Sequence, residues 1–206
     1  MSPTYWIFLR FAQLVARMVF SLEVTGREHL PKSGGYLLAM NHGSYLDPPV
    51  AALAADPRPI HFLARKTLLK WPIMGPIFPS LNVVPVDQER PDMSALKNVI
   101  RLLRAGETTI VFPEGARTLD GNLQPAQPGI GLIIAKTLVP VVPMRVFGAY
   151  EALPPGSSRV RAHPIQVKIG QPLLFTAGDL QNTTGEMRDT YQALSERVMA
   201  AIAAIR

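Results

Sequence analysis

Residues 36–48 read Tyr-Leu-Leu-Ala-Met-Asn-His-Gly-Ser-Tyr-Leu-Asp-Pro. An apolar run gives way abruptly to Asn41, His42 and Gly43, the pattern of a buried strand ending in a turn. Asp47 and Pro48 then open a helical stretch over 48–55, because proline's fixed φ suits the first turn of a helix. Strand, turn and helix in that order make the repeating unit of an α/β domain, and such sheets keep their sites at the carboxyl ends of their strands.

Outward from this stretch the pattern repeats. Short β-type runs fall at 60–64, 82–86, 108–112, 141–146 and 165–169, with helical stretches at 92–104 and 130–137. Near the C-terminus Met187, Tyr191, Leu194, Val198, Ile202 and Ile205 share one helical face, after a capping-box-like pairing of Thr183 with Glu186. With 206 residues, 48% of them hydrophobic, the chain suits one domain with a sizeable core. The prediction is an α/β fold around a mixed, mostly parallel sheet flanked by helices.

The N-terminal stretch 4–20 is nearly all apolar, and Arg10, Gln13 and Arg17 form one narrow polar stripe at helical spacing. Two arginines make crossing a bilayer costly, whereas lying in its interface is cheaper. Tyr5, Trp6 and Phe8 favour the interfacial reading over a first helix packed in the core. The chain thus divides into an amphipathic interfacial helix, 1–21, and a main domain, 22–206.

A net charge of +6 favours anionic partners. Lysines and arginines are scattered, without the aromatic-interleaved basic block that stacks bases, so nucleic acid is not an expected partner. The absence of cysteine excludes disulfides, thiolate zinc sites and an acyl-cysteine intermediate. No secretory leader pattern is present, so the expected location is cytoplasmic.

Imidazole suits proton abstraction at neutral pH, and a carboxylate on its other nitrogen fixes the tautomer. His42 and Asp47 fit that pairing if the histidine lies in the turn and the aspartate at the helix start. Asp-Pro is also an ordinary helix cap and Asn-His-Gly an ordinary turn, and taken alone the motif favours that structural reading. A second strand, 108–112, ends in Phe112, Pro113, Glu114, Gly115, Ala116 and Arg117. There Gly115 permits close backbone approach to a ligand, and Arg117 offers a planar fork for phosphate. Glu114 reads either as an acceptor for a substrate hydroxyl or as a partner of Arg117. Pro140 and Pro143 bracket a third strand, where proline signals an edge, a bulge or a ligand-lining segment.

Other chemistries lack their signatures. No Gly-x-Ser-x-Gly elbow, third dinucleotide glycine or Gly-Lys-Ser/Thr phosphate loop occurs. His29, His61 and His163 have no ligand spacing, and no metal is expected.

Taken together, Asn41-His42 with Asp47, then Phe112 to Gly115 with Arg117, then Val139-Pro140 with Pro143, resemble the ordered motifs of the glycerolipid acyltransferase family typified by 1-acylglycerol-3-phosphate acyltransferase. The segment from Lys66 through Lys70 to Gly75 looks like the approach to this family's second motif, and the resemblance spans roughly 22–172. It implies the glycerol-3-phosphate acyltransferase-like fold, His42 as base and Asp47 as its orienter. It also implies an acyl-CoA or acyl-carrier-protein donor, a lysophosphatidate or similar lyso-lipid acceptor, no cofactor, and a site on the cytoplasmic side of a membrane. Asn41, Lys66, Lys70, Arg90, Glu114, Gly115, Arg117 and Pro143 are the implied substrate-binding residues. Two departures stand out: Asp87-Gln88 places the next arginine, Arg90, two positions late, and Gln127-Pro128-Gly129 lacks the usual lysine. They leave room for another lyso-lipid acceptor, such as an ornithine-type lipid, or for a non-catalytic lipid-binding module.

Overall fold

A computed structural model describes residues 3–65, 67, 81–86, 93–181 and 186–206. Helix α1 (Pro3–Phe20) leads into β1 (Glu23–Thr25), β2 (Leu37–Met40), α2 (Asp47–Ala55), β3 (Ile60–Arg65) and β4 (Val83–Val86). Then follow α3 (Met93–Arg104), β5 (Thr108–Val111), α4 (Gly129–Thr137), β6 (Val141–Phe147), α5 (Ala149–Ala152), β7 (Gln166–Ile169) and α6 (Met187–Ala204).

The strands form one sheet in the order β1-β7-β6-β2-β5-β3-β4, parallel throughout except where β7 runs against β6. Central β2 and β5 are buried at every residue, as expected of parallel strands covered on both faces. Side chains alternate between the two faces. Leu38, Met40, Ile110, Val142 and Met144 face a core shared with α1 and α2. Leu37, Ala39, Val111 and Val141 face the core built with α3, α4 and α6.

The prolines of the strands find the places where a missing donor costs little. Pro85 lies on the edge strand β4. Pro143 lies in an inner strand, between an isolated Val141↔Leu173 bridge and the ladder that begins at Met144↔Ile169. The register shifts by one residue there, so the bulge is the explanation.

Two sequence expectations change. On α6, Leu194, Val198 and Ile202 are buried, but Met187 is 58% exposed and Thr190 and Ser195 are buried instead. The cause is α4, which crosses so closely that a Cβ on Gly131 would lie 1.9 Å from the Tyr191 carbonyl oxygen. Ser195 Oγ accepts the Gly131 N–H there. Thr183, expected to cap this helix, lies outside the described residues.

On α1, Tyr5 is buried and Trp6 and Phe8 pack against the core, so these aromatics face the domain rather than outward. At 100° per residue, the buried set Tyr5, Leu9, Ala16 and Phe20 lies opposite Ile7, Phe11, Leu14 and Met18, which are 56–77% exposed. Arg10, Gln13 and Arg17 run along one flank between those faces. The helix is apolar on two sides.

Candidate active site

β2 and β5 lie side by side in the register Leu37↔Thr109, Leu38↔Ile110, Ala39↔Val111. Carrying that register three residues further sets His42 level with Glu114, and the contact is direct. The His42 N–H donates to Glu114 Oε1 at 2.8 Å. On the other side of β2, Asn41 extends the pairing to β6: its Oδ1 accepts the Val146 N–H at 2.8 Å and its Nδ2 donates to the Val146 carbonyl at 3.1 Å. Three neighbouring strands therefore fix the turn that carries His42.

His42 Nδ1 lies 2.8 Å from Asp47 Oδ2. The same oxygen accepts the N–H groups of Gly43 and Ser44, both at 2.8 Å. Leu46 is the residue before α2, and no side chain caps that helix. The Asp47 carboxylate points back into the turn and the imidazole instead of capping the helix. Asp47 is fully buried, and the three donors offset the cost of removing a carboxylate from water. A carboxylate accepts only, so it holds the imidazole proton on Nδ1 and leaves the Nε2 lone pair available. Among the described residues nothing else bonds the His42 ring. Phe112 stacks against it with ring centroids 3.8 Å apart at 14°, which limits its rotation.

Glu114 is buried, and both of its oxygens are engaged: Oε1 by His42 and Oε2 by the Gln124 N–H at 3.1 Å. Burial pushes its carboxyl above the ordinary range, the two backbone donors pull it back, and the nearby Asp47 charge adds an upward push. Its bonds run to the backbone of the His42 turn and of Gln124, and no ion pair joins it to Arg117 among the described residues. Gly115 has φ +74°, and a Cβ there would lie 3.1 Å from Gln127 Cγ. A left-handed turn and a packed glutamine account for this glycine. Thr118 returns the chain to the turn by donating its N–H to the His42 carbonyl at 2.8 Å. Its hydroxyl bonds Asp120 at 2.6 Å, and with Asn122 it holds the Asp120 carboxyl down at about 2.

Beside the turn a cavity of about 220 Å³ opens, with walls that include Asn41, Asp47, Glu114, Thr118, Asn122 and Tyr150. Arg117 is not among those walls; its guanidinium lies 4.0 Å over the Tyr45 ring. Pro143 is buried within β6, where its carbonyl accepts the Gly170 N–H. Lys66, Lys70 and Arg90 lie outside the described residues, as do Asp87 and Gln88. The remaining histidines have local partners: Ile169 O for His29, Glu107 for His61 and Pro164 O for His163.

Sequence reasoning missed Tyr45, Val146 and Tyr150. Tyr45 sits inside the quoted stretch, but an aromatic in a turn carries no signal of its own. Tyr150 packs on Gly43 and Gly121, a proximity that only the fold creates.

The positions and order of these elements define the class, because the sequence profile of the acyltransferase family matches residues 21–147. The chain belongs to that family. It is 31% identical over 165 residues to a chloroplastic 1-acyl-sn-glycerol-3-phosphate acyltransferase of Brassica napus, covering 78% of this chain and 47% of that protein. A 1-acyl-sn-glycerol-3-phosphate acyltransferase of Bacillus subtilis is 29% identical, covering 80% of this chain and 81% of that one. The chain thus spans about half the length of the plant relatives it matches and about four fifths of the bacterial one. The crystal structure of the 1-acyl-sn-glycerophosphate acyltransferase of Thermotoga maritima superposes with a TM-score of 0.73 at 25% identity, covering 98% of this chain and 80% of that one.

Proposed function

We propose that this chain moves a fatty acyl group from acyl-CoA or acyl carrier protein to the free hydroxyl of 1-acylglycerol-3-phosphate, giving phosphatidic acid. The observation that carries this reading is His42, bonded through Nδ1 to a buried Asp47 with Nε2 left open. Nε2 takes the acceptor's hydroxyl proton while that oxygen attacks the thioester carbonyl. Collapse of the tetrahedral intermediate breaks the C–S bond, and the departing sulfur takes the proton back from His42. Asp47 holds the tautomer and stabilises the imidazolium between the two transfers. With no cysteine in the chain an acyl-cysteine is excluded, and direct passage of the acyl group to the acceptor is what the family resemblance implies. Asn41 and Glu114 act by holding the turn. Arg117 receives the acceptor phosphate, joined by positive charge from Lys66, Lys70 and Arg90.

Thiol release from acyl-CoA in the presence of lysophosphatidate tests the proposal. His42→Ala should lower turnover about a thousand-fold or more, as expected for loss of a general base. Equal activity in both proteins, or none in either with any donor and acceptor, would sink the reading.

We also propose that α1 rests on a bilayer surface, on the cytoplasmic side where soluble acyl thioesters meet lipid. No helix among the described residues is long and apolar enough to cross a membrane. Support for docking comes from the exposed row Ile7, Phe11, Leu14 and Met18 flanked by Arg10 and Arg17. In vesicle flotation the double substitution Phe11→Glu with Leu14→Glu should weaken binding about a hundred-fold, since each apolar side chain contributes about 1.5–3 kcal/mol on burial. Unchanged flotation would remove α1 as the anchor.

A further inference from the structure

An arginine that receives phosphate must be held still while its N–H donors stay unbound. Six of the described arginines already have their donors engaged. Arg10 and Arg197 pair with Asp56 and Asp179, and Arg27, Arg58, Arg104 and Arg145 donate to backbone carbonyls. Arg117 differs. It is only partly exposed, it has no hydrogen bond or ion pair among the described residues, and its guanidinium lies 4.0 Å from the centroid of the Tyr45 ring. A carboxylate in that place would hold the guanidinium but compete with the incoming phosphate for the same N–H groups. The face of an aromatic ring attracts the cation through its quadrupole and leaves the in-plane donors free.

Tyr45 also stands in the turn between His42 and Asp47, which is fixed by the Asp47 bonds to Gly43 and Ser44. Its neighbour Ser44 is buried and donates its hydroxyl to the Leu153 carbonyl at 2.8 Å. The ring is 48% exposed, so it faces the open side of the site rather than serving the core. His42 and the ring that holds Arg117 therefore belong to one turn.

We propose that Tyr45 is a positioning residue for acceptor binding: its ring face orients the Arg117 guanidinium toward the acceptor's phosphate while leaving all of its donors free. The proposal rests on the reading of Arg117 as the phosphate-binding group. It predicts that the aromatic ring matters and the tyrosyl hydroxyl does not.

The test is steady-state kinetics with lysophosphatidate and acyl-CoA varied in turn. Tyr45→Leu should raise the acceptor KM about two- to five-fold, the range expected for an exposed cation–π contact, with kcat and the acyl-CoA KM held. Tyr45→Phe and Tyr45→Trp should restore the wild-type acceptor KM. In an Arg117→Ala background Tyr45→Leu should add nothing, because the two residues act as one unit. The proposal is overturned if Tyr45→Leu lowers kcat without moving the acceptor KM, if the acyl-CoA KM rises equally, or if Tyr45→Phe behaves like Tyr45→Leu. If Arg117→Ala raises the acceptor KM and Tyr45→Leu does not, the Tyr45 role alone fails. If Arg117→Ala leaves that KM unchanged, the phosphate reading fails and the Tyr45 role with it.

Discussion

The turn after β2 and the loop after β5 each bury one carboxylate, and the two do different work. Asp47 concentrates three donors on one oxygen, one of them the His42 ring. Glu114 divides its two oxygens between backbone N–H groups on separate segments. The first carboxylate sets a proton's position, and the second sets the position of a chain. Both Glu114 oxygens thus already have partners within the protein.

That contrast breaks most sharply at Asp47. Asp47→Asn keeps the size of the side chain but lets an amide face the ring, so the tautomer is no longer dictated and no charge offsets the imidazolium. Turnover with acyl-CoA and lysophosphatidate should fall about a thousand-fold, within the span of general-base effects. Retention of more than a tenth of the activity would show that Asp47 only shapes the turn.

Glu114→Gln should cost less, about ten-fold in kcat, because one oxygen still serves a backbone donor while the amide NH2 meets the other, a loss of about 1–2 kcal/mol. Its pH signature has a definite sign. A carboxyl raised in the folded state contributes stability below its unfolded value of about 4.5, and that contribution is lost as pH rises through the higher folded value. The substituted protein has no such titration. Denaturation at pH 4 and pH 7 should therefore show wild type losing ground to Glu114→Gln at the higher pH, and a gap independent of pH would contradict the burial argument.

The smallest effect lies further along the same loop. Asp120 is held at about 2 by Thr118 first and Asn122 second, so its contribution is present above 3.8 and lost as pH falls through about 2. In Thr118→Val the Asp120 carbon resonance should titrate closer to 3.8. An unmoved midpoint would assign the shift to Asn122.

Much of this was legible in the sequence because buried parallel strands read as unbroken apolar runs and each ends in a turn that carries chemistry. β2, β3, β5 and β6 were found within a residue or so. β1 was not, since Glu23, Val24 and Thr25 become a strand only by pairing with Gln166, Val167 and Lys168, more than a hundred residues away. In the candidate site, His42, Asp47 and Arg117 are the residues that type and order single out. The direction of the Asp47 carboxylate was not readable, because Asp-Pro before a helix is compatible with both directions. Nor was the engagement of Asn41 with Val146, which depends on strand order. The aromatics of α1 misled for a simpler reason: hydropathy says that a helix has two apolar faces but not which one the domain takes.

The row Ile7, Phe11, Leu14 and Met18 has a kinetic meaning once α1 rests on lipid. The acceptor then reaches His42 by lateral diffusion, and its effective concentration becomes a surface density. On the proposal that α1 docks on a bilayer, adding inert lipid at constant total acceptor should dilute the reaction without changing a single bulk molarity.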